Sequence, residues 1–128
     1  MSVRIVRLGT KRVPGEGLRI GTVRRPPRGV RKSEYSFKNW YDVWLPNLAP
    51  LPATVGQAQK AKSDLDWRAF FRKYRAEMAK PDASRLLDLL AALSHHADFS
   101  VGCYCADESR CHRSVLRALL AERGAKVK

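Results

Sequence analysis

Three cysteines, one histidine and two arginines fall within the eleven residues from Cys103 to Arg113, in the string CYCADESRCHR. Thiol, imidazole and guanidinium are the groups that carry nucleophilic, metal-ligating and anion-binding chemistry, so this segment is where function is sought first. Asp107 or Ser109 is placed to cap a helix that follows, which sets Arg110, Cys111, His112 and Arg113 in or near its first turn. Unpaired backbone N–H groups and the positive end of the helix dipole coincide there and favour an anion. Arg113, with Arg110 beside it, supplies a grip on phosphate or carboxylate. The leading expectation is therefore a small anionic or phosphorylated ligand bound at the start of the last helix.

Thiol chemistry is the companion reading. A thiolate at Cys105 or Cys111 gains from the helix end and the arginines, and His112 is placed to carry its proton. A metal site would draw on Cys103, Cys105, Cys111 and His112, whose ligand types suit zinc. Neighbouring helical residues such as Cys111 and His112 diverge by about 100°, however, which argues against one shared ion. No metal ligand and no cofactor are assigned from the sequence. Buried, unreactive cysteines are the bland alternative, because a free Cys behaves as a small hydrophobe. Cys111 and Arg117 have the C-x5-R spacing of a phosphatase loop, but HRSVL between them has no glycine and reads as helix. Neither a dinucleotide fingerprint nor a GKS/GKT phosphate loop is present, which disfavours hydride transfer and ATP hydrolysis.

The elements that must position this cluster can be read outward from it. FSVGCYC, residues 99 to 105, is an apolar strand, ADESR a turn, and CHRSVLRALLAERG a helix closed by Gly124. Asp82 is placed to cap a leucine-rich helix with Leu86, Leu87, Leu89, Leu90 and Leu93, ending near His95 and His96, which suit its terminal carbonyls. Before it, Ser63 and Asp66 have capping-box spacing, and Trp67, Phe70, Phe71 and Tyr74 recur at helical intervals up to Met78, with Pro81 as terminator. Two short strands are expected around Val3 to Leu8 and Leu18 to Val23. Residues 24 to 34, RRPPRGVRKSE, form a basic loop, since Pro26 and Pro27 remove donors. The aromatic stretch around Trp40, Tyr41 and Trp44 anchors a long connection, irregular over residues 46 to 62. Within it Asp42 sits among aromatics, where a carboxylate needs a partner or shifts upward in pKa; an arginine from residues 24 to 28 is the expected partner. The alternation of strands and helices indicates an α/β fold, one compact domain over residues 1–128 with a small sheet, largely parallel or mixed, flanked by helices.

The 128 residues carry 25 Lys and Arg against 12 Asp and Glu, a formal charge of +13. Eleven of those cations fall in residues 1 to 40 with only two Glu. Such a field concentrates anionic partners, and a nucleic-acid-binding module is the principal alternative to a small-ligand site. A zinc-stabilised structural or partner-binding domain is the third reading. No apolar run is long enough for a membrane span and the N-terminus lacks an export signal, so a cytoplasmic location is expected and no membrane partner. The oligomeric state stays open.

The ordered strings GLRIGTVRRPPRGVRK, WYDVWLPNLAP, DWRAFFRKYRAEM and CYCADESRCHRSVL resemble the YeaO-like family, domain of unknown function 488, over about Val3 to Leu120. Gly17, Arg19, Val23, Arg25, Pro27, Arg28 and Gly29 approximate the family's first motif, with Arg28 and Gly29 matching best. In the second, Cys105, Cys111, His112 and Arg113 match, while Cys103 is the less general position. The resemblance implies an α/β fold and a pocket in which the loop at Arg28 and Gly29 approaches the turn from Cys105 to Arg113.

Overall fold

The computed structural model describes residues 1–128. Its strands are β1 (Val3–Arg7), β2 (Leu18–Gly21), β3 (Val43–Trp44) and β4 (Phe99–Cys103), and its helices α1 (Pro52–Lys60), α2 (Asp64–Met78), α3 (Pro81–Leu93) and α4 (His112–Glu122). The strands form one sheet in the order β1-β4-β2-β3, with every pairing parallel. The last strand in the sequence is thus inserted between the first two. Phe99 pairs with Val3 on one side and Leu18 on the other. All five residues of β4 are buried, as expected for a strand flanked on both edges.

Alternation along the strands divides the two faces. Ile20, Phe99 and Val101 enter the main core with Tyr74 and Met78 of α2, Leu87 and Leu90 of α3, and Leu116, Leu119 and Leu120 of α4. The opposite face carries a polar network in place of helices. Arg19, fully buried, donates from Nε and Nη2 to the two carboxylate oxygens of Glu16 at 2.7 and 2.9 Å, and from Nη1 to the carbonyls of Thr10 and Asn39. Ser100 of β4 donates to Glu16 at 2.9 Å. Nothing in the local pattern of β2 identifies Arg19 as an interior residue.

Several expectations are corrected here. The last strand stops at Cys103, two residues early, because Cys105 is already exposed in the turn. The stretch expected to be irregular over residues 46 to 62 holds α1, entered through Pro52, and its Thr54 and Leu51 bind Glu77 of α2. Pro81 opens α3 at its first position, where its missing N–H costs nothing, and Asp82 lies inside the first turn with Lys80 as the cap. The capping box at Ser63 and Asp66 is present. His95 bonds the Gly124 carbonyl at 2.8 Å, tying the end of α3 to the residue at φ +82° that follows α4. Asp42 pairs with Arg12, at 2.8 and 2.9 Å, and not with an arginine of residues 24 to 28; it also accepts from Ser36 and the Arg19 amide.

This network sets an acid limit. Burial pushes the Glu16 carboxyl upward, but the bonds from Arg19 and Ser100 outweigh it and hold the group below its ordinary value. Burial likewise opposes, and the bonds from Arg12, the Arg19 amide and Ser36 overcome, the same balance at Asp42. Both groups bind protons more weakly folded than unfolded, so their stabilisation is complete above the unfolded value, 4.5 for Glu16, and is lost as pH falls through the folded values. The Glu16 contribution, read by urea unfolding as the stability difference between wild type and Glu16→Gln, is expected to be level from pH 7 to 5 and to shrink below about pH 4.5.

Candidate functional site

The turn after β4 returns through a short 3-10 segment, Glu108–Arg110, whose N-cap is Asp107. The cap of α4 is Cys111, not Asp107 or Ser109: its sulfur accepts the Arg113 amide at 3.5 Å and its carbonyl the Ser114 amide at 3.2 Å. Cys111 has φ −155° and ψ 153°, extended backbone that stands outside the helix. The divergence expected of two helical neighbours therefore does not apply. Cys103 Sγ, Cys111 Sγ and a ring nitrogen of His112 lie within 4.8 Å of one another. All three residues are buried, at 2, 2 and 7% exposure. The two sulfurs are 2.7 Å apart, and Cys111 Sγ is 3.8 Å from His112 Nδ1.

The imidazole is fixed by the residue that follows β2. Its Nε2 lies 2.9 Å from the Thr22 carbonyl oxygen, which can only accept, so Nε2 carries the proton and Nδ1 presents its lone pair to the sulfurs. The Tyr74 ring packs on the imidazole with centroids 5.1 Å apart. Burial lowers the His112 pKa to about 4, leaving the ring neutral near pH 7.

Charge concentrates around the sulfurs. Hydrogen bonding from Cys103 and Cys111, with Arg113 nearby, pulls the Cys105 thiol down to about 2, whereas Cys103 is pushed up and Cys111 rises to about 11. Of the three thiols, the exposed Cys105 is the one eased toward thiolate. Arg113 is 4% exposed; its Nη2 donates to the Cys105 carbonyl and its Nε has no partner. No carboxylate lies within ion-pairing distance of it.

The residues expected to act together separate into three places. Cys111, His112 and Arg113 are buried at the start of α4, joined by Cys103, which sequence reasoning had set aside as the less general cysteine. Arg110 is exposed, 3.6 Å from Asp64, and lines a hollow on α2 with Arg68, Trp67 and Phe71. Arg28 and Gly29 are exposed on the basic loop. That loop does reach the exit of β4, because the Tyr104 hydroxyl donates to the Arg25 carbonyl at 2.8 Å.

A hollow of about 460 Å³ opens at this contact, lined by Arg7, Leu8, Gly9, Thr10, Pro27, Trp40 and Tyr104. It lies at the carboxyl ends of β1 and β4, beside the point where strand order departs from chain order. Arg7 donates from Nε to the Tyr104 carbonyl at 3.2 Å, and Trp40 meets the Tyr104 ring edge-on at 5.8 Å. The amides of Leu8, Gly9 and Thr10 already bond Cys103, Asn39 and Arg7 carbonyls, so side chains would have to hold an anion there. Sequence reasoning missed this hollow; the signals for it were an arginine out of phase in β1 and a tyrosine between two cysteines.

The family model DUF488-N3a, described as the active DUF488-N3 subclade, matches residues 3–124. No curated protein and no solved structure matches the chain.

Proposed function

Because this chain belongs to the DUF488-N3a family, the active DUF488-N3 subclade, and sets an arginine beside two aromatic rings at the carboxyl edge of its sheet, we propose that it binds a small phosphate-bearing ligand there. The observation that carries this reading is the joining of Arg7, Trp40 and Tyr104 in one hollow. The volume is of the order that accommodates a small organic ligand. Arg7 answers the negative group, and the rings of Trp40 and Tyr104 offer faces and edges to a planar one. The cations of residues 24 to 34 border the opening through Pro27 and raise the local concentration of anions.

This moves the ligand from the start of α4, where the cap is sulfur and the first residues are buried, to the neighbouring strand ends. Binding alone is proposed; Cys103 and Cys111 are shut from solvent. No helix is long and apolar enough to cross a membrane.

The test is a titration with inorganic phosphate, nucleoside monophosphates and nucleoside triphosphates, read by calorimetry and tryptophan fluorescence. Arg7→Ala is expected to weaken binding about tenfold or more, since it removes a charge-assisted hydrogen bond of about 1.5–3 kcal/mol. Affinity should fall only gently with salt, as one or two phosphate contacts require; a slope of many contacts would indicate a nucleic-acid surface instead. Equal affinities for wild type and Arg7→Ala would remove the hollow from consideration.

A further inference from the structure

We propose that Cys103, Cys111 and His112 are three donors of a tetrahedral zinc-type site, closed from the solvent side by Cys105. The inference is independent of the ligand hollow and fails separately from it. A four-coordinate zinc ion with bonds of about 2.3 Å to sulfur and about 2.0 Å to nitrogen sets its donors about 3.5–3.8 Å apart. His112 Nδ1 and Cys111 Sγ already stand at 3.8 Å. Cys103 and Cys111, at 2.7 Å, are closer than two thiol sulfurs pack, and separating them by about 1 Å gives the edge that an ion between them requires.

The outer contacts suit a ligand set. A metal-binding histidine characteristically donates its other ring N–H to a carbonyl or carboxylate, which fixes the tautomer and the direction of the lone pair. The Thr22 carbonyl does this for His112 and leaves Nδ1 with no oxygen or nitrogen partner. Charge closes the argument. Three thiolates, a neutral imidazole and a divalent cation sum to one negative charge, and Arg113 is a buried cation at the same turn with no carboxylate in direct ion-pair contact. On metal entry each sulfur that still carries a proton releases it to solvent as its bond to the metal forms, so binding weakens toward acid pH. Cys105, exposed two residues after Cys103 and outside the three-donor group, is the sulfur we assign as the fourth donor on turning inward, which makes the site C-x-C-x5-C-H in order.

The experiment uses the full chain, reduced and freed of metal, titrated first with cobalt(II) and then with zinc(II). One equivalent of cobalt is expected to give the intense visible absorption of a tetrahedral thiolate centre, bleached stoichiometrically by zinc. Zinc should raise the unfolding midpoint, chelator should reverse the rise, and alkylation with mass mapping should show Cys103, Cys105 and Cys111 protected together. Cys111→Ser and His112→Gln should each lose at least tenfold in affinity. Should those variants misfold, the wild-type absorption and alkylation map decide the matter alone. Absence of cobalt uptake by reduced wild type, an octahedral spectrum, or a Cys103–Cys111 disulfide in protein isolated with its thiols trapped would each overturn the assignment.

Discussion

Arg19→Met is expected to destabilise the fold by about 3–5 kcal/mol, a large part of the roughly 5–15 kcal/mol that holds a domain of this size together. The guanidinium is fully buried and occupies both oxygens of Glu16 and the carbonyls of Thr10 and Asn39. Its loss leaves Glu16, 3% exposed, as a carboxylate whose remaining side-chain donor is Ser100. Burying an unpaired charge dominates the cost, so the double variant Arg19→Met with Glu16→Gln should recover a substantial fraction of it. Equilibrium urea unfolding of the single and double variants measures both numbers. A single-variant loss under about 1 kcal/mol, or a double variant no better than the single, would show that the pair is not the support we describe. The consequence reaches the site because Ser100 belongs to β4 and Thr10 follows Gly9 at the hollow.

Gly17→Ala is the second large effect, expected at about 2–5 kcal/mol. Two causes add. Gly17 has φ +76°, a left-handed conformation that costs an L residue about 1–2 kcal/mol. A Cβ would also fall 1.9 Å from the Asp98 carbonyl oxygen, and relieving such a contact costs about 1–3 kcal/mol in shifted backbone. Gly15→Ala separates the terms: its φ is +78°, but nothing lies within 4 Å of the added carbon, so it should pay the conformational cost alone. Thermal or urea unfolding of the two variants together provides the check. Equal losses would show that the contact with Asp98 yields easily. Asp98 immediately precedes β4 and accepts the Ser2 amide, so a shift there would be carried along the strand to Cys103.

Much of the architecture was legible because it is encoded over a few residues. The aromatic spacing from Trp67 to Tyr74, the Ser63–Asp66 capping box, the apolar run from Phe99 to Cys103 and the glycine after α4 all act within a turn or a strand. The C-x-C-x5-C-H-R string likewise marked the right turn. Its geometry was not legible, because it depends on Cys111 adopting extended backbone before the helix begins, a choice made by packing on Cys103. The same limit explains Asp42, whose partner Arg12 is thirty residues away, and Arg19, whose arginine type would ordinarily assign it to the surface.

The hollow belongs wholly to tertiary structure. Arg7 and Tyr104 are 97 residues apart and meet because β4 is inserted beside β1, an order that no local preference states. The residues alone determined an α/β chain with strong positive charge and a sulfur-rich turn after its last strand. Which sulfurs meet, which arginine is buried and where a ligand has room were decided by the parallel pairing of distant strands, since backbone propensity acts between near neighbours whereas burial and charge pairing act across the whole fold.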